Sequence, residues 1–182
     1  MHADKEIIFS ITAIVCAFSL SSTSIAIPFW LTTEITVDNV PVYSYAGLWK
    51  DCAEALGDTE CILFTDVKDF VNATRGLLIV GTVMVGLSLL LVVKYAANRS
   101  TESLANMRII TLLLGVILVI TAMIVFASNT TDSGLTYGSA FYLTLPSSVS
   151  SIIAAYVVFR AKKSHVSHGY SPIGFESART SV

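Results

Sequence analysis

Long apolar runs alternate with shorter polar segments along this chain, and the runs set its architecture. Residues 7–29 are almost wholly apolar or small and polar, and similar runs cover about 77–93, 109–126 and 140–159. About 20 such residues in a helix cross a hydrocarbon core of about 30 Å. The pattern therefore predicts four membrane-spanning helices. The polar leader 1–6 is net acidic, the first run is long, and residues 25–30 offer no small-x-small cleavage site. These features favour a retained span over a cleaved signal peptide. Residues 1–160 then form one four-span domain, and 161–182 a cytoplasmic tail.

The polar segment 30–75 lies between the first two runs. Residues 31–37 are rich in Thr, Ile and Val, as strands are, and Asp38-Asn39 suits a turn. Residues 40–49 read as a second strand, with Pro41 tolerable near its start, and 61–65 as another short one. The segment is expected to fold as a small antiparallel sheet. Gly76, Gly81 and Gly86 recur every five residues, which spreads them around a helix and makes no GxxxG seam, but leaves close helix contact open at each. Pro146, with Ser147, Ser148, Ser150 and Ser151, predicts a bend in the fourth run, the hydroxyls covering freed carbonyls.

Composition agrees with a membrane protein. The 182 residues are 54% hydrophobic and 13% charged, with mean hydropathy +0.73, and a soluble domain of this length needs more charge. No charge falls mid-span, which argues against a proton relay, voltage sensor or charged transport path. The net charge of −2 conceals an asymmetry. Lys5, Lys94, Arg99, Arg108, Arg160, Lys162, Lys163 and Arg179 fall on one side of a four-span topology, and Lys50, Lys68 and Arg75 on the other. The first side is read as cytoplasmic, with both termini inside. Cys52 and Cys61 then face an oxidising exterior, where they pair, while Cys16 sits in a span as packing.

Few residues carry catalytic promise. His2, His165 and His168 lie on the cytoplasmic side and the acidic cluster outside, so no His–carboxylate or Cys–His constellation forms across the bilayer. His165 and His168 are too few ligands for a closed metal site. With no phosphate-binding glycine loop and no basic aromatic stripe, neither a nucleotide cofactor nor nucleic acid is expected, and the chain is not read as an enzyme.

The outer segment is acidic: between residues 31 and 74, Glu34, Asp38, Asp51, Glu54, Asp58, Glu60, Asp66 and Asp69 stand against Lys50 and Lys68. It is either a solvated surface or a path that concentrates cations, with Asp51, Glu54, Asp58 and Glu60 the candidates near the cysteine pair. The terminal Thr180-Ser181-Val182 suits strand addition to a PDZ groove on a scaffold protein. Tyr170-Ser171-Pro172-Ile173 has the form of a tyrosine-based sorting signal. Asn72 and Asn129 head outward glycosylation sequons close to the membrane, and Asn98 heads a cytoplasmic one.

Trp30, then Gly47-Leu48-Trp49, then Cys52 and Cys61, with Arg75 at the mouth of the second span, resembles the first extracellular loop of the claudin superfamily. That superfamily takes in claudins, epithelial membrane proteins, peripheral myelin protein and calcium-channel gamma subunits. The resemblance covers nearly the whole chain and is nearest a divergent or invertebrate-type claudin. It implies a left-handed four-helix bundle topped by an antiparallel sheet. It also implies association with itself in cis and in trans, at cell–cell junctions, to form paracellular barriers or ion pores. The second outer loop, 128–138, is shorter than in typical claudins and lacks their aromatic-x-proline segment. Tyr137-Gly138-Ser139-Ala140-Phe141 is closer to the epithelial membrane protein branch. The same superfamily thus implies a second function, an accessory subunit of a channel or receptor.

Overall fold

The computed structural model describes residues 2–37, 40–65, 67–97, 102–130 and 135–169. The turn at Asp38-Asn39, the Asn98 sequon, the Tyr170 signal and the terminal Thr180, Ser181 and Val182 lie outside the described residues. Four long helices carry a small sheet. Helix α1 (His2–Ala26) leads into β1 (Leu31–Val37), β2 (Val40–Ala46), β3 (Lys50–Ala55) and β4 (Asp58–Leu63). Helices α2 (Asp69–Ala97) and α3 (Glu102–Thr130) follow, then β5 (Thr136–Tyr137) and α4 (Ser139–Gly169). Within them, Ile7–Ala26, Asp69–Lys94, Asn106–Thr130 and Ser139–Arg160 are each long and apolar enough to cross a membrane.

Helix α1 stops three residues before the end of the apolar run. Pro28 explains this, because a proline biases the residue before it away from helical backbone. Along α1 the buried residues Ser10, Ile14, Ala17, Ser21 and Ser24 follow the alternating four- and three-residue spacing of one helix face. Cys16 falls off that stripe and is exposed on the outer surface of the helix, so it is not a packing residue of the bundle.

Helix α1 packs most extensively on α4, and α2 on α3. Hydroxyls bridge the helices. Ser24 Oγ donates to the Ala140 carbonyl at 2.8 Å, Ser147 Oγ to the Ala17 carbonyl at 2.8 Å, and Ser21 and Thr82 share a bond of 2.6 Å. Such interhelical bonds contribute about 0.6–2 kcal/mol each within a bilayer. Ser147 therefore crosses to another helix, where the sequence suggested that it covers a freed carbonyl. Ser148 and Ser151 do bond the carbonyls one turn back, of Thr144 and Ser147. The α4 helix continues through Pro146.

The glycines of α2 divide by environment. A Cβ at Gly81 would lie 2.9 Å from Val119 Cγ2 and 3.0 Å from the Gly115 carbonyl, so α2 and α3 cross closely there. Gly86 faces the Phe18 ring, and Gly76 faces open space.

The sheet is antiparallel with strand order β4-β3-β2-β1-β5. The stretch read as one strand over 40–49 ends at Ala46, and β3 is an additional strand. A two-residue turn, Leu56-Gly57, joins β3 to β4, with φ of 56° and 89°. Both central residues at positive φ are what a type I′ hairpin needs to match strand twist.

Candidate functional site

The junction between sheet and helices is built by the two tryptophans. A helix ends with four carbonyls that lack intrahelical partners. At the end of α1, Ile27 N–H donates to the Thr23 carbonyl at 3.1 Å, Trp30 Nε1 to Ser24 at 2.8 Å, and Trp49 Nε1 to Ile25 at 2.9 Å. Three of the four carbonyls are thus covered, two of them by indoles. Trp30 is fully buried, its ring edge-on to Phe126 at 4.9 Å and Phe141 at 5.9 Å. Its backbone binds on both sides, donating to Ala46 at 3.0 Å and accepting from Gly138 at 2.9 Å.

Glycine is required twice here by close approach. A Cβ at Gly47 would lie 2.5 Å from Pro28 Cα, and one at Gly138 would run into the Phe29 carbonyl. Leu48, next to Gly47, is fully buried in the same cluster as Trp30, Leu78 and Phe126. Arg75 closes the junction from α2. Its Nε donates to the Leu48 carbonyl at 2.7 Å, its Nη2 to the same oxygen, and its Nη1 to Asn72 Oδ1 at 3.0 Å. The guanidinium lies 4.7 Å from the Trp49 ring centre and 5.9 Å from that of Phe64, within cation–π range. Trp30, Gly47, Leu48, Trp49 and Arg75 are therefore brought together as one clamp. Gly138 and Ser24 belong to it as well, and sequence reasoning missed both. The signal for Gly138 was its isolation between Tyr137 and a helix start.

Cys52 and Cys61 are disulfide-bonded and directly opposite in the β3–β4 register, with Cα atoms 4.1 Å apart. The chain-entropy account gives such a short loop about 2–3 kcal/mol. Alternation along the strands then sorts the four acidic candidates. Asp51 is paired with Ile62, Ala53 with Glu60 and Ala55 with Asp58, so Asp51, Asp58 and Glu60 share one face. Glu54 stands on the other face, with the disulfide, Tyr43 and Tyr45. There its carboxylate accepts a hydrogen bond from Tyr45 Oη, and this bond holds the phenol above its ordinary pKa. Partial burial pushes the Asp51 carboxyl up.

Asn72 and Asn129 both sit inside helices. Asn72 is bonded to Arg75, and the Thr74 hydroxyl of its sequon is buried on the Phe70 carbonyl at 2.8 Å. Asn129 Nδ2 donates to Val125 at 2.8 Å in the last turn of α3. Among the described residues no three His, Cys, Asp or Glu side chains converge as metal ligands would. What the arrangement can do is chemical in a different sense. It fixes a charged, two-faced sheet rigidly to the ends of four apolar helices. No protein-family model matches the chain, and no curated protein matches it.

Proposed function

We propose that this chain is a claudin-like four-span membrane protein of cell–cell junctions, non-enzymatic, with both termini cytoplasmic and the sheet outside. In this reading the sheet forms or regulates a paracellular barrier or cation-permeable pore. The observation that carries the reading is the clamp. The residues of the resemblance converge where a disulfide-held sheet meets the helix ends, and together they tie the sheet to the helices. The face bearing Asp51, Asp58 and Glu60 supports cation preference. Each carboxylate contributes about 1 kcal/mol at contact distance in water, about a fivefold bias. Thr180, Ser181 and Val182 then dock on PDZ scaffold proteins.

A second reading, an accessory subunit bound to a channel or receptor, is favoured by the connection from α3 to α4. It spans eight residues in sequence, 131–138, and its described part contains the two-residue β5, a short segment for contact with a facing cell. Two measurements separate the readings. Neutralising Asp51, Asp58 and Glu60 together lowers the Na⁺ over Cl⁻ permeability ratio of an expressing monolayer severalfold, while Glu54→Gln leaves it unchanged. An unaltered ratio removes the pore. Tagged protein that enriches only where two expressing cells meet supports the junction; uniform staining favours the accessory subunit.

A further inference from the structure

The disulfide-bearing face of the sheet carries a cleft that the proposed function does not use. Glu34 is paired with Tyr43, and Tyr43 with Glu54, so the three side chains stand in one row across β1, β2 and β3. Strands lie about 4.8 Å apart, which separates the two glutamate backbones by about 10 Å with a tyrosine between them. On the Glu34 side opens a cleft of about 350 Å³, walled by Phe29, Thr32, Glu34, Tyr43, Tyr45 and Thr136. On the Glu54 side opens a second hollow of about 230 Å³, and Tyr43 lines both.

The walls are aromatic as well as acidic. Phe29 and Tyr45 pack with ring centres 5.0 Å apart, and Tyr43 stands 44% exposed. The sheet supplies little positive charge of its own. Lys50 is the only basic residue from 31 to 63, and it sits four residues from Glu54 along β3, about 13 Å away. A carboxylate neutralises an ammonium head, an aromatic face attracts it further, and a tyrosine between two such heads favours methylenes. The opposite face, with Asp58 and Glu60, has acids on an edge strand exposed along its whole length.

We propose that this face binds a linear organic diammonium ligand of the polyamine class, one ammonium in each hollow and the methylene chain across Tyr43. The inference is independent of whether the sheet lines a paracellular pore. Putrescine and diaminooctane carry the same charge and differ in length. General attraction by an acidic ectodomain treats them alike, and a two-headed site does not. The test is calorimetric titration of both into the full chain in lipid nanodiscs, with empty nanodiscs subtracted. Diaminooctane is expected to bind at least tenfold tighter than putrescine. Glu34→Gln and Tyr43→Leu each weaken it about tenfold, and the pair Asp58→Asn with Glu60→Gln leaves it unchanged. Glu34 is exposed, so Glu34→Gln carries the test even where Tyr43→Leu fails to fold. Equal binding of the two diamines overturns the proposal, as does equal weakening by the other-face pair.

Discussion

Replacing Trp30 separates the two things that its side chain does. The ring is fully buried among Phe126, Phe141 and Leu48, and the indole N–H covers the Ser24 carbonyl at 2.8 Å. Trp30→Phe keeps an aromatic ring and removes the donor. It leaves a buried carbonyl short of a partner, which costs about 1–3 kcal/mol. Trp30→Ala removes the ring as well and opens a cavity, for about 3–5 kcal/mol in total. Trp49→Phe loses the same kind of bond, to Ile25, at a position 39% exposed, so its cost falls at the low end, about 1 kcal/mol. The expected order of stability is wild type, Trp49→Phe, Trp30→Phe, Trp30→Ala. Thermal unfolding in detergent followed by far-ultraviolet circular dichroism measures it. If Trp30→Phe proves as stable as wild type, the capping argument is wrong; if Trp30→Ala does, the whole clamp is.

Three further outcomes follow from local geometry. Gly81→Ala forces a methyl against Val119 and the Gly115 carbonyl and costs about 1–3 kcal/mol, whereas Gly76→Ala, which meets nothing, is neutral or gains up to about 1 kcal/mol; melting the two variants side by side checks this. Leu56→Asn places a residue tolerant of positive φ in the β3–β4 turn and stabilises it by about 1 kcal/mol, read from the same melts. The raised pKa of Asp51 means that the folded state holds its proton more tightly, so wild-type stability rises as pH falls from the raised value towards the ordinary one. Asp51→Asn is therefore more stable than wild type at neutral pH and equal to it in acid, and melts that differ equally at every pH would contradict this.

The sequence made the helices legible because each apolar run is longer than any competing structure accommodates. It made the clamp residues legible only by resemblance. No local rule says that Trp30 and Trp49, far apart in the chain, cover adjacent carbonyls of one helix end. The sheet was harder to read. Lys50–Ala55 is made of charged and small residues and carries no β-branched side chain, so its strand comes from pairing with β2 and β4 rather than propensity. The Leu56-Gly57 turn escaped notice because leucine is a poor turn residue. Missing β3 as a strand also hid the alternation that places Glu54 apart from Asp51, Asp58 and Glu60. Ser147 was misassigned for a related reason: its partner lies on another helix, 130 residues away in the chain.

That last bond bears on how the molecule is made. The α2–α3 pair joins neighbours in sequence and crosses closely at Gly81 and Gly115, so that crossing needs no later part of the chain. The α1–α4 seam joins the first helix to the last, through Ser24 with Ala140 and Ala17 with Ser147. Until α4 is synthesised, Ser21 has Thr82 to bond, but Ser24 Oγ lacks its acceptor on α4 and the Ala17 carbonyl lacks the second donor that Ser147 supplies. A nascent chain stalled before residue 139 would therefore present α1 without its bonds to α4 at Ser24 and Ala17. Those are features by which membrane quality control could recognise a product whose final step is still outstanding.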